Sequence, residues 1–117
     1  MKLIAKLGTN AIFDSDKKEI KTSVLEQLAK DVSQLVKQEN EIIIVTSGAV
    51  GLGKVELNIN GDEEIASRQA YASIGQPILM RAYTKEFSKY NLKVSQFLLT
   101  HEDLNNPKKI KNIKETY

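Results

Sequence analysis

The sequence has 117 residues, of which 41% are hydrophobic and 27% charged, so it is long enough for one domain with a single core and too short for two. Its 17 Lys and Arg against 15 Asp and Glu give a formal net charge of +2, which argues against binding to nucleic acid or to an anionic membrane through overall charge. The absence of cysteine and the single histidine exclude disulfides and the usual zinc sites, and they favour a cytoplasmic protein.

The first quarter of the chain predicts a strand and a helix. Residues Lys2–Leu7 form a short apolar run that ends at glycine, and residues 14–21 form a polar loop. Apolar residues then recur every three or four positions between Ser23 and Gln38, which predicts a helix. Ser23 and Glu26 have the spacing of a capping box, so we expect the helix to begin there.

Residues Glu41–Thr46 predict a second strand, and their continuous apolar run favours a parallel strand that is covered on both faces. After a loop at residues 58–62, helical periodicity returns between Glu63 and Tyr90, where Gly75-Gln76-Pro77 should bend or divide the helix. Residues Lys93–Leu99 predict a third strand, and Pro107 predicts the start of a last short helix. This order predicts an α/β fold with a mainly parallel sheet.

The segment from Gly48 to Lys54 has almost the spacing of a P-loop, G-x-x-x-x-G-K-[ST]. In a P-loop the residue after lysine is Ser or Thr, because its hydroxyl binds the Mg²⁺ that bridges the phosphates. Here that residue is Val55, which offers no ligand atom. The sequence therefore argues against a P-loop nucleotidase.

Two turns are candidates for a shared anion site. Ser47-Gly48-Ala49 follows the second strand where a helix should begin, so backbone N–H groups without internal partners would point outward. The alternative interpretation is that the glycines of this segment serve only a tight turn and close helix packing. Lys6 lies near the end of the first strand, just before Gly8-Thr9, and parallel neighbouring strands would bring both turns to the same edge of the sheet. The Lys6 cation and the N–H donors around Ser47 would then face one crevice. Lys6 also admits a purely structural reading, in which its stem packs while its ammonium reaches water.

At these residues the sequence resembles the amino acid kinase superfamily, and within it the glutamate 5-kinases. The resemblance rests on four segments that together cover nearly the whole chain: "KLGTN" at 6–10, "IIIVTSGAVGLG" at 42–53, "ASIGQPILMRAYTKEFSKYNLKVSQFLLTHED" at 72–103 and, more loosely, "NIKET" at 112–116.

The resemblance implies a three-layer αβα sandwich around a mainly parallel sheet, incomplete in this chain. It also implies ATP-dependent phosphorylation of the side-chain carboxylate of L-glutamate to glutamyl 5-phosphate, the first step towards proline. ATP and Mg²⁺ are then the expected cofactors, proline is an expected feedback ligand and a homo-oligomer is an expected state.

Residue by residue, the resemblance assigns Lys6 to the ATP phosphates and to charge stabilisation, with Gly8 and Thr9 in the same phosphate-binding loop. It assigns Ser47 to glutamate, with Gly48 and Ala49 beside it, and it assigns no residue of this chain to a metal.

Family catalytic domains are longer than this chain, so we expect residues 1–117 to be the N-terminal, amino-acid-substrate-binding part of such a domain and to lack kinase activity alone. The alternative is a non-catalytic half-domain that binds an acidic metabolite or pairs with a separate C-terminal half.

Overall fold

The computed structural model describes residues 1–58 and 65–97, with side chains in the second range from residue 68 onward. Within these ranges the chain forms four strands and four helices in the following order: β1 Lys2–Leu7, α1 Thr9–Ile12, β2 Phe13–Asp14, β3 Glu19–Ile20, α2 Thr22–Lys37, β4 Glu41–Thr46, α3 Ala49–Glu56 and α4 Ile65–Ser88. The predictions at residues 59–64 and 98–117, including the last helix at Pro107, lie outside the described residues.

The strands β1 and β4 are parallel neighbours, as predicted, and both have the predicted bounds. Their register places Lys2 beside Glu41 and Leu7 beside Thr46. The helix between them makes this a strand-helix-strand unit of a parallel sheet, so the α/β class is confirmed for the described part of the chain.

The core lies on one face of this strand pair. Ile42 and Ile44 of β4 and Leu7 of β1 pack against side chains from α1, β2, α2, α3 and α4. The buried members of this cluster are Ile12, Phe13, Leu25, Ala29, Val32, Leu52, Leu79, Tyr83 and Phe87. The opposite face is open in the structure, since Ile4 is 71% and Val45 48% exposed. The expectation that β4 is covered on both faces is therefore wrong for the residues described, and the sandwich is incomplete.

The polar loop predicted at residues 14–21 is instead a small hairpin in which β2 pairs with β3 antiparallel. The Asp14 carboxylate accepts hydrogen bonds from the backbone N–H groups of Asp16 and Lys17, at 3.0 and 3.1 Å, and so closes the turn. The bond from the Lys17 N–H is the largest cause that lowers the pKa of Asp14 below its usual value.

The helix α2 begins one residue earlier than predicted, and the capping box is wrong. Lys21 is the N-cap, and no side chain caps the helix. The reason is that α1 fixes Lys21: its N–H donates to the Ile12 carbonyl at 2.7 Å, and its Nζ donates to the Asn10 carbonyl at 2.6 Å. The Lys21 carbonyl then accepts from the N–H groups of Val24 and Leu25.

The prediction left open a divided or a bent helix, and the structure has a single helix α4 with Pro77 inside it, so the helix is not divided there. The third strand is wrong for residues 93–97, which have no strand structure, while residues 98 and 99 lie outside the described part. Leu92 and Val94 pack against the core, and this segment lines a groove of about 640 Å³ together with residues of β4. No described strand pairs with residues 93–97.

None of the described helices is long and apolar enough to cross a membrane.

Candidate functional site

The two turns predicted to share a site open on the same edge of the sheet. The strands β1 and β4 are parallel with Leu7 beside Thr46, so the Gly8-Thr9 and Ser47-Gly48 turns follow at the same, carboxyl end. This is the edge at which open α/β sheets bind ligands.

The Ser47-Gly48 turn leads directly into α3. Gly48 is the N-cap of the helix and has φ +112, a left-handed conformation that residues with a side chain rarely adopt. Its carbonyl accepts the first helical hydrogen bond, from the Leu52 N–H at 3.1 Å. The backbone N–H groups of the first turn of α3, from Ala49 onward, have no partner inside the helix, which is the arrangement that attracts an anion.

A cavity of about 580 Å³ opens at this turn. Four of the predicted site residues line it together, namely Thr9, Ser47, Gly48 and Ala49. The other described residues of its wall are Phe13, Ser15, Lys18, Thr46, Val50, Gly51, Lys54, Val55, Arg68 and Gln76. The structure thus brings the β1 turn and the β4 turn onto one cavity.

The charge of this wall is one-sided. Lys18, Lys54 and Arg68 contribute cationic side chains, and no described residue of the wall is an Asp or Glu. Such a wall raises the local concentration of anions, although the whole chain is nearly neutral.

Sequence reasoning missed Lys18 and Arg68 as site residues. Lys18 lies in the hairpin turn and Arg68 in the first turn of α4, so neither is close in sequence to the Ser47 turn. For Lys18 the sequence indicated only a tight turn, through Asp14 and the polar residues that follow it. It did not indicate that this turn would lie at the cavity. For Arg68 the sequence held no signal.

Two glycines let α3 and α4 approach closely enough to share the cavity. A methyl group at Gly53 would overlap the backbone carbonyl of Tyr71, and one at Gly75 would overlap the carbonyl of Ala49. Lys54, which follows Gly53, and Arg68, one helical turn before Tyr71, both line the cavity. The alternative reading of the glycines, close helix packing, is therefore correct for Gly53, while Gly48 serves the turn.

Lys6 and Gly8 are not part of the cavity wall. Lys6 is exposed and lies beside Val45 in the strand register, on the same open face of the sheet as Ile4. Gly8 is the exposed N-cap of α1, and its carbonyl accepts from the Ala11 N–H at 3.1 Å. The prediction that Lys6 and the donors around Ser47 face one cavity is therefore not met: Lys6 lies near the carboxyl end of β1, as predicted, but outside the cavity wall.

The P-loop-like segment is not a loop. Residues 49–56 form α3, so Gly53 and Lys54 lie inside a helix rather than in a phosphate cradle. The structure agrees with the sequence argument against a P-loop.

The donor set of the cavity does not fit Mg²⁺, which takes carboxylate and other oxygen ligands together with substrate phosphates. The described wall contains no carboxylate, and in the described residues there is no group of three His, Asp or Glu side chains placed to hold a metal. The Mg²⁺ expected from the resemblance therefore remains a prediction without a site among these residues.

Comparison with known proteins agrees with the geometry. The whole chain, residues 1–117, matches the amino acid kinase family. It is 39% identical over 116 residues to a glutamate 5-kinase of Pelagibacter ubique and 34% identical over 117 residues to one of Ligilactobacillus salivarius. A glutamate 5-kinase of Methanosarcina barkeri is 43% identical over 108 residues.

These matches cover 98%, 99% and 86% of this chain, but 31%, 43% and 28% of the respective relatives. The chain thus spans between about a quarter and two fifths of the length of the relatives it matches. Its match to the family runs through both turns of the candidate site. The chain belongs to the amino acid kinase family.

Proposed function

We propose that residues 1–117 are the N-terminal, amino-acid-substrate-binding part of a kinase that phosphorylates the side-chain carboxylate of L-glutamate with ATP. The observation that carries the proposal is the cationic cavity at the carboxyl end of β1 and β4, lined by Thr9 and by Ser47-Gly48-Ala49. The printed name of the relatives, glutamate 5-kinase, supports the choice of glutamate as substrate.

Glutamate suits this cavity because it carries two carboxylates. Both are ionised at neutral pH, since the side-chain carboxyl of glutamate titrates near 4.3. In our proposal the N–H groups at the start of α3 and the Ser47 hydroxyl orient one carboxylate, while Lys54 and Arg68 attract the other. Glutamine has the same shape but lacks the side-chain charge, so the cavity should distinguish the two.

The proposed reaction needs little from the protein beyond placement and charge. The attacking oxygen belongs to a carboxylate that is already ionised, so no general base is required. Catalysis then consists of bringing two anions together and of stabilising charge on the transferred phosphoryl oxygens. In our proposal the ATP phosphates bind to Lys6, Gly8 and Thr9 at the carboxyl end of β1, next to the cavity that glutamate occupies and that Thr9 also lines.

Calorimetric titration of the chain with glutamate, glutamine and ATP tests the proposal. We expect glutamate to bind and glutamine to bind at least about tenfold more weakly, because one charge-assisted contact to a carboxylate is lost. Equal affinity for the two amino acids would exclude a role for the cationic wall in selecting the substrate.

A second candidate function is a non-catalytic half-domain that pairs with a separate C-terminal half or binds an acidic metabolite or proline. The observation in its favour is the open face of the β1–β4 pair, where Ile4 and Val45 are exposed although parallel sheets are normally covered on both faces. Heat on addition of proline alone would favour this candidate, whereas ADP release from glutamate and ATP by a longer protein that contains this chain would favour the kinase. A homo-oligomer is a further proposal, which sedimentation can test.

A further inference from the structure

A hydrogen bond joins a buried tyrosine of α4 to the last residue of β4, immediately before Ser47. The Tyr83 hydroxyl, on α4, donates to Thr46 Oγ1 at 2.6 Å. Thr46 is the last residue of β4, and its hydroxyl in turn faces the carbonyl of Ser47 at 3.4 Å. A bond of 2.6 Å is short for two hydroxyl groups, whereas 3.4 Å is at the long limit of such contacts.

Tyr83 is buried, and its hydroxyl stays protonated. The residue is 4% exposed, and its ring meets the Phe87 ring edge-on at a centroid distance of 5.9 Å. Burial raises the pKa of Tyr83 above its usual value, against the smaller, opposite effect of the bond to Thr46. The phenol therefore keeps its proton across the physiological range and donates it to Thr46 Oγ1, while the Thr46 hydroxyl donates to the Ser47 carbonyl.

The bond spans 37 positions of sequence and joins the helix that packs under the sheet to the strand end that carries the turn. Thr46 also lies in the cavity wall, next to Ser47 and Gly48. The rest of β4 is fixed by its pairing with β1, which ends at Leu7 beside Thr46. The strand pairing does not continue past Thr46, and there the Tyr83–Thr46 hydrogen bond ties the start of the turn to the core.

We infer that Tyr83 is a positioning residue for the substrate turn: through Thr46 it fixes the orientation of Ser47 and Gly48 and so sets the affinity of the cavity for its amino acid. The ligand part of this inference rests on the proposed function, whereas the ordering of the turn does not. Tyr83 itself does not line the cavity and acts through Thr46.

The variant Tyr83→Phe removes only the hydroxyl and retains the ring contact with Phe87. Tyr71→Phe is the matched control, because Tyr71 is a buried tyrosine of the same helix whose hydroxyl has no hydrogen-bond partner within the described ranges. A second pair, Thr46→Val and Thr46→Ser, removes or retains the acceptor hydroxyl at the other end of the bond.

The first measurement needs no ligand. We expect backbone amide spectra of Tyr83→Phe to show shifted resonances and faster hydrogen exchange at Ser47 and Gly48, with Tyr71→Phe unchanged there and both variants folded by circular dichroism. Unmoved Ser47 and Gly48 amides in Tyr83→Phe would overturn the inference, whatever the chain binds. If Tyr83→Phe does not fold, the same comparison between Thr46→Val and Thr46→Ser decides.

The second measurement is the dissociation constant for glutamate. Loss of one buried hydrogen bond predicts a rise of about fivefold to tenfold in Tyr83→Phe and in Thr46→Val. The double variant should match either single variant, since both remove the same bond, and Thr46→Ser should restore wild-type affinity. Additive losses would overturn the inference. Absence of glutamate binding by the wild type would instead reject the proposed function, and the amide measurement would still decide the role of Tyr83.

Discussion

The two faces of the β1–β4 pair are built from alternating residues of the same strands and have opposite properties. One face carries Leu7, Ile42 and Ile44 and is packed against the helices. The other carries Ile4 and Val45 in the open and Lys6 at its carboxyl end. The stability of the fold and the shape of the cavity therefore depend on the packed face. The open face carries the predicted phosphate contact, Lys6, and contributes little to stability.

The largest expected effect is the loss of packing on the covered face. Leu79 is fully buried in the core cluster, so Leu79→Ala should lower the free energy of unfolding by about 2–5 kcal/mol. Ile4→Ala on the open face should change it by about 0.5 kcal/mol or less. Urea unfolding followed by circular dichroism measures both. Similar losses would mean that the open face is covered in solution.

The next effect concerns catalysis on the open face. In an active kinase that contains this chain, Lys6→Ala should lower turnover by about 10² to 10³, because one positioned cation is lost from the transferred phosphoryl group. The control is Lys2→Ala, which removes a lysine from the same strand and the same face, where Lys2 pairs with Glu41 at 3.8 Å. Steady-state kinetics give the comparison, and unchanged turnover in Lys6→Ala would remove Lys6 from the mechanism.

A smaller loss is expected at the contact between α3 and α4. Gly75→Ala gains about 1 kcal/mol of helix propensity but places a methyl group against the Ala49 carbonyl. Overpacking of backbone typically costs about 1–3 kcal/mol, so we expect a net decrease in the free energy of unfolding. Gly8→Ala is the control, since the space around Gly8 is open. A more stable Gly75→Ala would show that the two helices separate easily.

The smallest effect is at the rim of the cavity. Arg68 is exposed, so Arg68→Gln should weaken glutamate binding by only about threefold to fivefold, an effect that added salt should reduce. Arg81→Gln removes an exposed arginine from the same helix, away from the cavity wall, and should leave the affinity unchanged. Equal effects of the two variants would point to net charge rather than to a contact in the site.

The parts of the fold that sequence predicted well are those with local causes. The mostly apolar segments of β1 and β4 indicated the bounds of both strands, because short apolar and β-branched segments bounded by turn residues favour strands. The residues Thr9 and Ser47-Gly48-Ala49 were placed together by the rule that parallel strands end at one edge. The roles assigned to Lys6 and Ser47 stay predictions.

The parts that failed depend on tertiary contacts. The start of α2 is set by hydrogen bonds from Lys21 to α1. No helix-start signal in the sequence reports such a tertiary contact. Residues 93–97 were predicted to be a strand, yet a strand needs a partner backbone within hydrogen-bonding distance, which local sequence does not supply. The cations Lys18 and Arg68 reach the cavity only through the hairpin and the glycine contacts between helices. Such placements follow from packing, and periodicity does not report them.

The edge of β4 that does not pair with β1 should affect the solubility of the protein. In the described part of the chain no strand pairs with that edge, and the segment Ile42–Val45 combines four β-branched residues with no charge. Unpaired apolar edges of this kind template strand addition between molecules, and short uncharged β-branched segments are prone to fibril formation. We therefore expect the isolated chain to aggregate with rising concentration, and a charged substitution at the exposed Val45 to improve its solubility.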